Sequence, residues 1–254
     1  MKNKAVIIFL LAVIILSAAV SAGAQDFNIP SFSFEMDSGD GGEGGEDLVL
    51  SLRILILLTV LSLAPAIIIL FTSFTRIIIV FGILKRALAL QNMPPNQVLI
   101  GIAIFLTIFI MAPVWQGVNQ DAVQPYMDQQ INLETATGNA VEPVRNFMLA
   151  QVDEKSLTLF VNMADIERPD TEADIPTYIL IPAFLINEIK IAFQIGFLLY
   201  IPFLMIDMIV ASILMSMGMM MLPPVIISLP FKILLFVLAD GWHLLIGSLV
   251  ETFN

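Results

Sequence analysis

The chain has no cysteine, one histidine and few charges: Asp, Glu, Lys and Arg make up 13% of its 254 residues. Without cysteine there is no disulfide framework and no thiol nucleophile, and a single histidine cannot build a metal cluster. A soluble domain of this length carries about twice that charged fraction. No Walker loop, no G-x-S-x-G and no paired intramembrane aspartate in a Gly-x-Gly-Asp setting is present, so no enzyme constellation emerges and no cofactor is expected. Basic residues are also scarce, 11 against 22 acids, and the net charge of −11 argues against nucleic acid as a partner. What is abundant is apolar: 58% of residues, with a mean hydropathy of +0.93. That excludes disorder and leaves an integral membrane protein, or one that hides equally apolar helices inside an assembly.

Lys2 and Lys4 precede a twelve-residue apolar run from Ala5 to Leu16, too short to span a bilayer, and Ala22-Gly23-Ala24 follows. This is the pattern of a secretory signal peptide, residues 1–24, cleaved before Gln25. Its removal would take away two lysines and leave a net charge of −13, with the new N-terminus outside the membrane. Residues 25–47 hold seven acids and no base around a Gly-rich run, which reads as a flexible acidic linker. The Asp-x-Asp-x-Asp-Gly spacing of a calcium loop is absent there.

Beyond the linker the pattern is helical and apolar: a first region at 48–117, a polar acidic region at 118–177, and a second apolar region at 178–254. Hydropathy alone suggests four membrane spans. Arg76, Lys85 and Arg86 then place the first loop in the cytoplasm, with both termini outside. The run 178–215 would make a helix of about 57 Å against a bilayer core of about 30 Å, so it must tilt, break at Pro182 or Pro202, or extend beyond the membrane. Between the apolar regions, Val144, Phe147, Met148 and Val152 fall at helical spacing, as do Leu157, Phe160, Val161 and Ala164. Two short amphipathic helices are expected there, with Pro143 at a helix start.

The two apolar regions share a pattern. Met93-Pro94-Pro95 opens one apolar helix and Leu222-Pro223-Pro224 opens another, each after a long apolar segment. Each half therefore reads as helix, tight tip, paired prolines, helix. Duplicated interrupted hairpins are a feature of transport proteins.

Five of the fourteen methionines lie in Met215-Ser216-Met217-Gly218-Met219-Met220-Met221, at the second tip. Methionine is unbranched and adaptable, so a ring of such tips could block ions at rest and yield to a passing polypeptide. The plain alternative is an apolar tip buried by packing. Copper binding by thioethers is a third reading, with no Cys or nearby His to support it. Asp207 and Lys232 flank that tip at similar distance and are expected to pair across the hairpin, structurally or with Asp207 as a proton relay. Glu188 and Lys190 point to different sides of one helix. With Arg76, they are expected to make charged contacts to neighbouring subunits. His243 beside Trp242 reads as interfacial.

The blocks Ser73-Phe74-Thr75-Arg76-Ile77-Ile78-Ile79-Val80-Phe81-Gly82, Pro94-Pro95-Asn96-Gln97-Val98, Phe193-Gln194-Ile195-Gly196-Phe197, Ile201-Pro202-Phe203-Leu204, Met219-Met220-Met221-Leu222-Pro223-Pro224, Leu229-Pro230-Phe231-Lys232 and Asp240-Gly241-Trp242 occur in that order over about residues 50–250. In these blocks the chain closely resembles the FliP family of bacterial flagellar type III export-gate proteins. The resemblance implies an all-α fold of helical hairpins that assembles, as a pentamer with FliQ and FliR, into a closed helical channel. Unfolded flagellar proteins would pass through it, at the inner membrane and flagellar basal body. It implies a methionine gasket formed from Met217, Met219, Met220 and Met221. It also implies that much of the apolar chain is raised to the periplasmic side rather than crossing the membrane four times. The competing readings are an ion-coupled transporter using Asp207 and Glu188, and a membrane scaffold whose methionines only pack.

Overall fold

The computed structural model describes residues 44–90, 93–164, 166, 171, 174–219 and 221–253, and among these it is all-α. The expected signal sequence and most of the acidic linker lie outside the described residues. The first helix begins within the last residues assigned to that linker. The helices are α1 (Gly44–Phe71), α2 (Phe74–Ala87), α3 (Asn96–Ile110), α4 (Ala112–Val118), α5 (Gln124–Met127), α6 (Leu133–Gln151), α7 (Glu154–Met163), α8 (Thr177–Ser216), α9 (Pro224–Leu238) and α10 (Gly241–Glu251). A π-helical turn, Asn119–Val123, joins α4 to α5.

The repeat seen in the sequence is two hairpins of the same design. In the first, α2 stops where Ala89 takes φ +58°, with Leu90 N–H bonded to Lys85 O and Ala89 N–H to Arg86 O. In the second, α8 stops where Gly218 takes φ +74°, with Met219 N–H bonded to Leu214 O and Gly218 N–H to Met215 O. Both are Schellman stops, in which one left-handed residue turns the chain back and satisfies the last carbonyls. The paired prolines then restart the chain: Pro95 is the N-cap of α3, and Pro223 is the N-cap of α9. Each second limb bends, by 53° between Asn96–Ile110 and Ala112–Met127 and by 64° between Pro224–Leu238 and Gly241–Glu251. The later bend turns on Asp240 at φ +49°. Gly241 follows, where a Cβ would stand 2.3 Å from the Phe236 ring.

α8 is the spine. It stays helical for 40 residues through Pro182 and Pro202. Packing against α6 and α7 along its first part, and against α2 and α9 further on, offsets the two lost hydrogen bonds. Two apolar cores form along it. The first joins α2, α3, α8 and α10 through Ile77, Phe81, Leu84, Leu99, Phe203 and Leu249. The second joins α6, α7 and the start of α8 through Met148, Leu157, Leu180 and Phe184. α2 packs closely on α8 at Gly196, where a Cβ would lie 2.3 Å from Ile83 Cδ1.

The polar region differs from expectation in one respect. Pro143 lies inside α6, its ring within 3.2 Å of the position a Gly117 Cβ would take. The start of α6 is set instead by Asn132, whose side chain accepts from Thr135 N–H. Two helices, α1 from Ile54 and α8, are long and apolar enough to cross a membrane, and four candidates result if each bent pair counts as one span. From Ile54 to Phe71, α1 has no fully buried residue among the described side chains, and its apolar side chains are spread around the helix. A helix apolar all round needs lipid or other protein against it.

Candidate functional site: the methionine tip and the buried charges

The Schellman stop at Gly218 thrusts the methionines out. Met215 is 62% exposed, Met217 65% and Met221 98%, while Met219 is half-buried. Met220 lies outside the described residues. The tip is thus an apolar, adaptable surface, and among the described residues Met217 and Met221 are left largely uncovered.

Behind the tip, Lys232 Nζ stands 2.6 Å from Asp207 Oδ2, joining α9 to α8. The same ammonium donates to Ala87 O at 3.0 Å, the terminal carbonyl of α2, and Ser228 Oγ donates to Asp207 Oδ1. Lys232 is 1% exposed, so three elements converge on one dry cation. A carboxylate and a helix-end carbonyl facing the same ammonium offset the cost of burying it.

The other charges were expected to reach a neighbouring subunit. Their partners lie in the same chain. Arg76 forms a two-pronged pair with Glu188, Nε to Oε2 at 3.0 Å and Nη2 to Oε1, with both residues buried. Nη2 also donates to Gln151 Oε1, and Nη1 to Thr252 O and Oγ1. The Phe253 ring lies 3.8 Å from the guanidinium carbon. Lys190 pairs with Asp153 across the α7–α8 packing. The physical reason is α8 itself, which carries Glu188 and Lys190 on different sides and has elements of this chain on both. Asp153 also caps α7 by accepting from Ser156 N–H. The Lys190 hydrogen bond, then the Ser156 bonds, hold its pKa down at about 2.

Gln151, Thr252, Ser228 and Asp153 escaped the sequence reading. Asp153 opens an apolar-periodic helix and carries an N-cap signature; Ser228 lies one turn before Lys232. Gln151 and Thr252 give no such signal. His243 is exposed and Trp242 packs edge-on against Phe81 and Phe236, at 6.2 and 5.5 Å between ring centroids.

The FliP family model matches residues 57–249, which span both hairpins and both buried ion pairs. The chain belongs to the FliP family. Similar proteins include the flagellar biosynthetic protein FliP of Bacillus subtilis (strain 168), 56% identical over 208 residues, covering 82% of this chain and 94% of that one. The FliP of Treponema pallidum (strain Nichols) is 50% identical over 92% of this chain and 86% of its own length. That of Aquifex aeolicus (strain VF5) is 45% identical over 92% and 96%. These relatives are named for flagellar biosynthesis, and the apolar helices of this FliP-family chain suit a membrane location.

Proposed function

We propose that this chain is a subunit of the flagellar type III protein export gate. It acts with further copies of itself, as a pentamer, and with FliQ and FliR. Together they form the channel through which unfolded flagellar proteins leave, in the inner membrane and basal body with much of the chain on the periplasmic side. The second tip supplies the gasket from Met217, Met219, Met220 and Met221. The observation that carries this reading is the exposed methionine tip on a Schellman-stopped hairpin, braced from behind by the Asp207–Lys232 pair. Apolar and pliable side chains around an axis would exclude hydrated ions yet part for an extended polypeptide. The transporter alternative would rest on Asp207 and Glu188. Both are engaged by cations of the same chain, which favours the channel.

The test replaces Met217, Met219, Met220 and Met221 with alanine in the full assembly. The expected outcome is an ion leak across the inner membrane, read as conductance in planar bilayers, with assembly intact. Unchanged conductance would sink the gasket and favour a scaffold.

A further inference from the structure

Between α2, α3 and the start of α9 lies an open-sided cavity of about 840 Å³, within the size range of small-molecule sites. Its walls are apolar: Ile78 and Gly82 from α2, Leu99 and Ile100 from α3, Val225 from α9. Two cations, Lys85 and Arg86, stand at one end.

These cations have no acid to answer them. From Leu48 to Gln120 the sequence contains no Asp or Glu, and its bases are Arg53, Arg76, Lys85 and Arg86. Arg76 is taken by Glu188. Among the described residues Lys85 Nζ donates to neutral acceptors, Pro94 O at 3.0 Å and Asn96 Oδ1 at 2.9 Å, which fix the ammonium without an opposite charge. Arg86 is exposed and has no ion pair or hydrogen bond among the described residues.

The ordinary role for cations in a last helical turn is to answer the terminal carbonyls. Here those carbonyls are already served. Leu84 O accepts from Leu88 N–H, Arg86 O from Ala89 N–H, Lys85 O from Leu90 N–H, and Ala87 O from Lys232. The two charges are left over for something outside the chain.

We propose that this cavity binds an anionic phospholipid, with its phosphodiester headgroup on Lys85 and Arg86 and an acyl chain along the Gly82 wall. Arginine's fork suits a phosphate, a lysine adds a point charge, and basic pockets between apolar helices recognise anionic headgroups. The apolar hairpins of a second copy are a poorer occupant. The hairpin regions hold four acids, Glu188, Asp207, Asp240 and Glu251, and the first two are already paired. Gly82 fits an acyl wall, since a Cβ there would meet nothing within 4 Å.

The test is native mass spectrometry of the full chain, extracted with its co-assembled partners and doped with phosphatidylglycerol or phosphatidylcholine of identical acyl chains. Phosphatidylglycerol should be retained preferentially, by roughly thirtyfold if each cation contributes as at an anionic surface. Lys85→Gln with Arg86→Gln should abolish the preference. Gly82→Phe keeps both cations and fills the wall, and it should displace the lipid without changing the mass of the assembly. Equal retention of the two lipids by the unaltered protein overturns the proposal, whatever the variants do. So does full retention by Gly82→Phe, which would mean headgroups gathered at a charged surface. Displacement by inorganic phosphate at equal concentration would make the site one for the free anion. Normal lipid retention with lost self-association would make it a subunit contact.

Discussion

At Arg76 all five guanidinium N–H groups find acceptors, on Glu188, Gln151 and Thr252. Removing one partner from such a buried pair strands the other charge. Arg76→Ala should cost about 3–5 kcal/mol, whereas replacing Arg76 and Glu188 together with Met and Leu should cost far less. Thermal unfolding in detergent of the two variants would check this, and equal losses would contradict it. Lys190 and Asp153 are a different case, because they are 46% and 33% exposed. The folded pKa of Asp153, about 2, lies below its ordinary value of 3.8. Its contribution is therefore complete at neutral pH and fades as pH falls from about 4 through about 2. Asp153→Asn should flatten that part of the stability-against-pH curve while keeping the cap on α7. Asp153→Ala should lose the cap as well, about 1 kcal/mol more. High salt should shrink the first effect and leave the second.

The hairpin stop is the device at the scale of the element, used twice with different residues. Gly218 adopts the left-handed conformation without a Cβ penalty, while Ala89 adopts it at φ +58° against one. Ala89→Gly should therefore stabilise the first hairpin slightly or leave it unchanged, since the relief of strain offsets the added entropy of the unfolded chain. Gly218→Ala should destabilise the second by about 1–2 kcal/mol and disturb the methionine tip. Melting temperatures of the two variants, measured side by side, should move apart. A common shift would mean that the stops do not carry this strain. The paired prolines and the glycine were readable as a stop and restart. Ala89 was not, because alanine carries no turn signal and is held there by Leu90 N–H on Lys85 O.

For the whole molecule, Lys232 ties the two hairpins together by polar contacts, since it bonds Asp207 of one and Ala87 O of the other. If the pair braces a channel, replacing Asp207 and Lys232 together with apolar residues of similar volume should preserve export. Either single replacement should impair it, by leaving a buried charge unpaired. Secretion of flagellar subunits by the three strains is the measurement. Failure of the double replacement alongside a stable, assembled protein would return Asp207 to a relay role.

The all-α class, the two hairpins, their paired-proline restarts and the methionine tip are local matters. They follow from long apolar runs, from proline's missing N–H and from glycine's freedom, so residues close in sequence announce them. The Asp207–Lys232 pair was legible for the same reason, since a hairpin of known tip sets equal depths on its two limbs. Tertiary structure alone decided where Arg76, Glu188 and Lys190 find their partners, because Arg76 and Glu188 pair across α2 and α8 and the remaining partners come from α6, the α7 cap and the turn after α10, far away along the chain. It also decided that Pro143 sits inside α6, against Gly117, and that α8 runs unbroken through two prolines. Packing on several faces outweighs a local preference to stop, and no window of sequence contains those faces.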